Sequence, residues 1–217
     1  MFWHVWERAS RCALLAGVYL CTDDDRIADA AKRLNVPCLM TSKDHANGSS
    51  RVYEAAVKLG LPEDAVIANI QGDEPALNPA MLDALLLPFA DAAVEATTLA
   101  CPIDRQEALL PDRVKVVLDT HNNALYFSRS PIPFERNTLD EKSPYLLHVG
   151  IYAFRMRTLT TYTALPVTPL EQMESLEQLR LLENGIPLHV ALTTHRSHGV
   201  DSPEDIERIL PLMVEYA

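Results

Sequence analysis

Short apolar runs alternate with amphipathic helical segments along most of this chain. Each run of four to six residues is typical of a buried strand, and the segments between them place apolar residues on one helical face. The predicted strands are 18–21, 36–40, 65–70 and 96–100, and the predicted helices are 2–12, 26–34, 49–59 and 79–90. This order predicts an α/β fold with three layers, in which helices cover both faces of a mostly parallel sheet.

The middle of the chain departs from that alternation. Residues 114–119 and 124–128 are separated by a polar turn, which predicts a β-hairpin, and 131–142 is a polar, proline-containing loop. A strand at 145–155, a helix at 169–184 closed by Gly185, a strand at 188–192 and a helix at 203–214 are expected to follow. Because there are no repeats or linkers, we predict a single domain spanning 1–217. The region that departs from the strand–helix alternation, at about 112–165, is an insertion within this domain.

Charge and cysteine content narrow the classes of function. The net charge of −11 argues against nonspecific binding to nucleic acid or to anionic membranes, since both need clustered Lys and Arg. The four cysteines form no C-x-x-C pair, which is typical of structural thiols in a reducing compartment. No secretory signal pattern is visible, and no apolar run approaches the roughly 20 residues that span a bilayer. We therefore expect a cytoplasmic protein.

The segment 69–75, with the sequence NIQGDEP, carries the strongest chemical signal. It follows the apolar run at 65–68 directly, so a buried strand is expected to end in a loop that bears Asp73 and Glu74. Ligands of open α/β sheets bind beyond the carboxyl ends of the strands, and Mg²⁺ prefers one or two carboxylates together with substrate phosphates. An ordinary strand with a polar turn explains the same residues without any function.

A second acidic cluster lies at 198–206. Ser202 is suited to cap a helix whose first residue is Pro203, and Glu204 and Asp205 would occupy its first turn. That is an ordinary helix start, but it does not need Asp201. Asp201 and Asp73 together therefore suggest a two-acid metal site for phosphate chemistry.

These motifs together resemble one enzyme family. The matching segments run in order: 69–75, 114–119 (VKVVLD), 124–129 (ALYFSR), 148–152 (HVGIY), 176–180 (LEQLR) and 199–205 (GVDSPED). They resemble the bacterial 3-deoxy-manno-octulosonate (Kdo) cytidylyltransferases, colinearly from about residue 1 to about 209. The resemblance implies an α/β nucleotidyltransferase fold with a dimerising insertion, a homodimer, and transfer of CMP from CTP to Kdo for the lipopolysaccharide core.

The resemblance also implies roles for individual residues. Asp73 and Asp201 would be the magnesium carboxylates, and Ser49, Arg51 and Gln71 would contact the nucleotide. The sugar site would be lined by Gln71, Arg129, His148, Tyr152, Glu177 and Gln178. An arginine suits an anionic substrate, and a carboxylate can select among sugar hydroxyls. In the nucleotide segment 47–51 (NGSSR), Ser50 stands where the family has a carboxylate.

Simpler interpretations of four of these residues remain open. His148 and Tyr152 alternate with apolar residues on a strand, so both could be core residues. Glu177 could lie on a solvated helix face, and Lys115 on the surface of the hairpin.

The N-terminus departs from the family pattern. Family members begin with a strand and a loop that cradles the triphosphate, whereas residues 1–9 match the helix after that loop, and no phosphate-binding glycine motif is present. We therefore expect an N-terminally truncated sequence, whose activity depends on upstream residues. A non-catalytic sugar-binding remnant and a cytidylyltransferase for another sugar acid, such as 8-amino-Kdo, remain alternatives. A glycosyltransferase using Asp23 and Asp25 fits less well, because those acids lie at helix-capping positions.

Overall fold

A computed structural model describes residues 1–45, 47–136, 145–196, 199–200 and 202–215. Its strands are β1 (Leu20–Thr22), β2 (Cys38–Met40), β3 (Val66–Asn69), β4 (Ala96–Pro102), β5 (Lys115–Leu118), β6 (Ala124–Ser128), β7 (Leu146–Arg155) and β8 (His189–Leu192). Its helices are α1 (Phe2–Ala9), α2 (Asp25–Arg33), α3 (Gly48–Lys58), α4 (Pro79–Leu86), α5 (Arg105–Ala108), α6 (Met156–Ala164), α7 (Pro169–Glu174), α8 (Leu179–Glu183) and α9 (Pro203–Glu215), and a 3₁₀ turn follows α4 at Leu87–Ala90. Helices α5 and α6 were not expected from the sequence.

The main sheet is organised around β7. Its strand order is β6-β5-β7-β4-β8, and β3 also pairs with β7. Strand β7 runs antiparallel to β3, β4 and β5, while β8 is parallel to β4. Four strands of this sheet (β3, β4, β5 and β8) therefore point the same way, which confirms the expected nucleotidyltransferase-type sheet. The predicted hairpin is also present as β5 and β6.

Strands β1 and β2 form a separate parallel pair. Within the described residues, β1 pairs only with β2, and β3 pairs only with β7. Helix α3 packs against both β1 and β3, so it joins the small sheet to the large one.

Two apolar clusters cover the two faces of the main sheet. One includes α1 and α4, with Val5, Leu82 and Leu85 packing near Leu99 and Ile151 of the sheet. The other includes α3, α6 and α8, and its members include Ala56, Phe127, Phe154, Leu159 and Leu179. The three-layer architecture follows from this alternation of sides along each strand.

The predicted helix at 169–184 is wrong in one respect, because it is two helices. Ser175 adopts a left-handed conformation (φ 54°), which ends α7, and α8 begins only at Leu179. The guanidinium of Arg129 donates to the carbonyl oxygens of Glu174 and Ser175 and so satisfies backbone groups at this break. The break removes Glu177 and Gln178 from a regular helical face.

Lys115 is fully buried, so the alternative of a surface position was wrong. Its ammonium donates to the carbonyl oxygens of Leu110 (3.0 Å), Arg129 (2.6 Å) and Arg113. Burial lowers the pKa of the ammonium. These three bonds tie the start of β5 to the loop before it and to the end of β6.

No helix in the described part of the chain is both long and apolar enough to cross a membrane.

Replacing Lys115 by Met tests this buried tie. The variant keeps an apolar stem but leaves three carbonyl oxygens without their donor, so we expect the free energy of unfolding to fall by about 2 kcal/mol. The same change at exposed Lys32 should stay within about 0.5 kcal/mol. Urea unfolding measures both variants, and equal losses would show that the buried ammonium adds nothing.

Candidate functional site

The loop after β3 carries the first of the predicted site residues. Asn69 is the buried last residue of the strand, and Gln71 and Asp73 follow in a turn, both half-buried. In the described part of the chain, no hydrogen bond or ion pair engages the Asp73 carboxylate, whereas its backbone carbonyl accepts from Val200 N at 2.9 Å. The carboxylate is thus available to a ligand.

Asp201 lies outside the described residues, as does His198. The neighbouring Val200 is the residue that bonds to Asp73. On the other side, Ser202 donates its N–H and its hydroxyl to the Asp205 carboxylate, at 2.8 and 2.9 Å, just before α9. The predicted helix start is therefore present.

The N-terminus of α3 rests against the end of β3. Asn47 caps the helix by accepting from Ser50 N at 2.9 Å. A Cβ atom on Gly48 would lie 3.4 Å from Gln71 Nε2 and 3.5 Å from Asn69 Nδ2, which shows that the helix start is in van der Waals contact with the end of β3.

Arg51 reaches from α3 to the carboxyl ends of β1 and β2. Its guanidinium donates to Asp23 Oδ2 at 3.2 Å, to Thr41 Oγ1 at 2.7 Å and to the Ser42 carbonyl at 3.1 Å. Because Asp23, Thr41 and Asn69 each stand at the carboxyl end of a strand, this edge of the fold gathers the residues predicted to contact the nucleotide.

Ser49 links that edge to Glu177. Its hydroxyl is buried, accepts from Asn69 Nδ2 at 3.3 Å and lies 3.5 Å from Glu177 Oε2. The Tyr162 hydroxyl donates to the same Glu177 oxygen at 3.3 Å. Glu177 is half-buried, so the alternative of a solvated helix face was wrong, and burial raises the pKa of its carboxyl.

A buried ion pair supports Tyr162 from behind. Arg180 pairs with Glu171, and both side chains are buried. The guanidinium carbon also lies 4.9 Å from the centroid of the Tyr162 ring, which is a cation–π contact. The position of Glu177 is thus held by groups from α3, α6, α7 and α8.

A second group of polar side chains lies beside Glu177. The Tyr152 hydroxyl donates to Gln178 Oε1 at 3.1 Å, and Gln178 Nε2 lies 3.5 Å from His148 Nδ1. The other ring nitrogen of His148 lies 2.9 Å from Thr98 Oγ1. Burial lowers the pKa of His148 to about 3, so its imidazole is neutral at pH 7.

Arg129, which follows β6 directly, contacts the backbone at the α7–α8 break. Its guanidinium donates to the carbonyl oxygens of Glu174 (2.8 Å), Pro111 (3.3 Å) and Ser175 (3.4 Å). Its backbone N–H donates to the Glu174 carboxylate at 2.9 Å. The structure shows it bound to the chain itself, and its role toward a substrate anion stays a prediction.

Sequence reasoning missed three residues of this network: Thr98, Tyr162 and Arg180. Tyr162 lies on α6, a helix that was not expected from the sequence, and Arg180, although part of the matching segment 176–180, was given no role. For Thr98 a signal existed, since two hydroxyl residues interrupt the apolar strand at Thr97 and Thr98.

The described residues contain no group of three or more His, Cys, Asp or Glu side chains that could hold a metal. Among the described residues, Asp73 offers a half-exposed carboxylate that no hydrogen bond or ion pair engages, and a carboxylate is the type of ligand that Mg²⁺ accepts.

Comparisons with known proteins identify the family. The family model described as cytidylyltransferase matches residues 1–197. The 3-deoxy-manno-octulosonate cytidylyltransferase of Nitratidesulfovibrio vulgaris strain Hildenborough is 58% identical over 99% of this chain and 86% of its own length. The enzyme of the same name from Oleidesulfovibrio alaskensis is 55% identical, again over 99% and 86%. This chain belongs to the 3-deoxy-manno-octulosonate cytidylyltransferase family.

Solved structures agree with this assignment. A CMP:2-keto-3-deoxy-manno-octonic acid synthetase complexed with CTP matches with a TM-score of 0.92 and 41% identity, over 100% of this chain and 88% of that one. A putative glucose-1-phosphate thymidylyltransferase from Bacillus anthracis matches with a TM-score of 0.63 at 14% identity, which shows the shared fold alone. The first of these structures agrees with the family assignment, and both agree with the fold.

The raised pKa of Glu177 predicts that its carboxyl lowers the stability of the fold as the pH rises. A carboxyl whose folded pKa lies above its unfolded value binds more protons when folded, so stability falls as pH rises from about 4.5 to the raised value. The neutral Glu177→Gln variant avoids this loss. We expect its free energy of unfolding, relative to the original chain, to be higher at pH 7.5 than at pH 4.5.

Urea unfolding at several pH values measures this difference. Exposed Glu63→Gln is the matched control and should show no comparable trend. A constant difference between the Glu177→Gln variant and the original chain across that range would contradict the effect of burial.

Proposed function

We propose that this chain transfers CMP from CTP to Kdo and releases CMP-Kdo and diphosphate, the step that supplies Kdo for the lipopolysaccharide core. Family membership supports the reaction, because relatives 58% and 55% identical carry the name of this cytidylyltransferase. The observation that carries the proposal is the link through Ser49, which joins the strand edge beside Gln71 to Glu177. Nucleotide and sugar sides of the site thus meet in one hydrogen-bonded network.

The nucleotide side is assigned to the carboxyl ends of β1, β2 and β3. CTP is bound in the related synthetase of the same fold, at 41% identity. We assign Ser49, Arg51 and Gln71 to the nucleotide here. Arg51 supplies a cation at the carboxyl ends of β1 and β2, and the net charge of −11 makes such a local positive group necessary for binding triphosphate.

A divalent cation is proposed at Asp73 together with Asp201. The available carboxylate of Asp73 fits Mg²⁺, and Val200, which precedes Asp201, bonds directly to the Asp73 backbone. Mg²⁺ would neutralise charge on the phosphoryl oxygens and on the leaving diphosphate.

In the reaction, the anomeric hydroxyl oxygen of Kdo forms a bond to the α-phosphorus of CTP. The bond from that phosphorus to the bridging oxygen of the β-phosphate breaks, diphosphate leaves with the electron pair, and one proton is released from the hydroxyl. The residues of this chain orient the two substrates for in-line attack.

The sugar side is assigned to Gln71, Arg129, His148, Tyr152, Glu177 and Gln178. His148, Tyr152 and Gln178 are already joined by hydrogen bonds, and Glu177 is adjacent in the chain to Gln178. A preformed set of buried polar groups selects strongly, because a sugar that leaves one of them unmatched pays for its desolvation. We place the protein in the cytoplasm, where CTP is available.

Removing either acid tests the metal proposal. Asp73→Asn and Asp201→Asn each delete one anionic ligand, and we expect diphosphate release from CTP, Kdo and Mg²⁺ to fall at least about 100-fold. Exposed Asp29→Asn is the matched control and should retain its rate. The assay measures diphosphate, both for this chain and for a form extended upstream with the leading segment of its relatives.

Near-normal turnover in either acid variant would contradict the metal assignment. Failure of both folded forms to release diphosphate from Kdo would contradict the proposed reaction, and turnover with another sugar acid would then redirect it.

A homodimer is proposed through the surface around Arg129. Arg129 bonds to Pro111 and Ser175, which brings the segments that carry exposed Leu110 and Met173 together. Leu125 on edge strand β6 and Phe134 are also exposed, the latter at 88%. Exposed large apolar side chains are typical of an interface, and these four lie in or beside the segments 110–134 and 173–175.

Charged substitutions test this surface. The double variant with Phe134→Glu and Met173→Glu should sediment as a monomer, while the original chain should sediment as a dimer, because a buried unpaired charge opposes association. Exposed Leu87→Glu, on the 3₁₀ turn after α4, is the control and should stay dimeric. A monomeric original chain, or a dimeric double variant, would contradict the proposed interface.

A further inference from the structure

Strand β7 is irregular where it passes Thr98 of β4. Thr98 pairs with Tyr152, but the next residue, Leu99, pairs with Val149, so two residues of β7 are skipped. Such bulges redirect side chains and leave backbone groups outside the regular ladder. Here the carbonyl oxygens of Val149 and Ile151 both turn toward the Thr98 hydroxyl, at 3.2 and 2.9 Å.

The Thr98 hydroxyl is fully buried and has only one proton to donate. The two carbonyl oxygens beside it can only accept hydrogen bonds, so that proton belongs to one of them. His148 Nε2, 2.9 Å from Thr98 Oγ1, must then be the donor in its own contact. If Nε2 were unprotonated, two carbonyl oxygens would face a hydroxyl oxygen with no proton between them, which is costly in a buried site.

The rest of the network agrees with this direction. With the proton on Nε2, the Nδ1 atom of His148 is an acceptor and faces the amide N–H of Gln178. The Gln178 oxygen is then turned toward the Tyr152 hydroxyl, which donates to it. The hydrogen bonds run in one direction, from Tyr152 through Gln178 and His148 to Thr98 and the β7 backbone.

We propose that Thr98 is a positioning residue that fixes His148 as its Nε2–H tautomer, so that Nδ1 presents an acceptor to a hydroxyl group of the sugar substrate. The contact of Nδ1 with Gln178 is long, at 3.5 Å, so a ligand hydroxyl can compete for it. The packing holds the ring in place, with Phe127 edge-on at 4.8 Å and Tyr152 at 5.5 Å between centroids. The substrate part of this inference rests on the proposed function; the tautomer does not.

Neighbouring Thr97 offers a matched control. It is also fully buried and β-branched, but its hydroxyl donates to the Leu85 carbonyl at 2.8 Å, on the opposite face of the sheet. Thr97→Val and Thr98→Val therefore remove the same atom from the same strand at equal burial. Only Thr98→Val removes the hydroxyl oxygen that accepts from His148 Nε2.

The tautomer is measured first, by nitrogen-15 NMR of histidine-labelled protein without substrate. The His148 signals are assigned as those lost in the His148→Gln variant. We expect the proton on Nε2 in the original chain, in Thr97→Val and in Thr98→Ser, and loss of this single tautomer in Thr98→Val. A proton on Nδ1, or a mixture of tautomers in the original chain, would overturn the proposal.

Steady-state kinetics then test the effect on the sugar. Thr98→Val should raise the KM for Kdo about tenfold, with the KM for CTP unchanged, because one acceptor toward the substrate is lost. Thr98→Ser should return it to within about threefold of the original, and Thr97→Val should leave it there. An unchanged KM for Kdo in Thr98→Val would overturn the positioning role even where the tautomer is correct. Absence of turnover in the original chain would count against the proposed function alone, since the NMR result stands by itself.

Discussion

The backbone pairing of β7 is the constraint on which the rest of the structure depends. This one strand bonds to β3, β4 and β5, so it fixes where the loop after β3, the hairpin and the central strand lie relative to one another. It also carries His148 and Tyr152 on the side that faces α8 and the α7–α8 break. At the bulge opposite Thr98, a buried hydroxyl donates its one proton to the β7 backbone and so satisfies one of the two carbonyl groups that turn toward it.

Much of the fold could be predicted because it depends on local pattern. The strand leading into 69–75 and the hairpin at β5 and β6 have the expected periodicity, and both are present. The break at Ser175 could not be predicted in this way. The sequence there continues a helical pattern. What ends α7 is left-handed Ser175, and the carbonyl groups of Glu174 and Ser175 bond to Arg129, 45 and 46 residues earlier. Long-range contacts of this kind override local propensity.

The same distinction applies to the site. The interest of Asp73 could be predicted from a strand end, whereas the family pattern was needed to point to Gln71, His148 and Glu177. Thr98 and the burial of Lys115 depend on the sheet register and on a loop folding back over β5, which no short motif records. The prediction of a missing upstream strand and the role of Asp201 stay predictions, since nothing in the described residues tests them.

The proposed nucleotide and sugar sides of the site differ in charge, and this difference has a physical consequence. The nucleotide side collects charged groups at a partly exposed edge, where Arg51 and Asp73 keep contact with solvent. The proposed sugar side contains a chain of neutral groups, Tyr152, Gln178 and His148, whose hydrogen bonds run in one direction, and its charged members are Glu177 and Arg129. Reversing any single bond in such a chain requires reversing the others, so the pocket presents a fixed order of donors and acceptors. Under the proposed function, discrimination among sugar acids depends on matching that order, while the charged edge supplies the electrostatics of phosphate transfer.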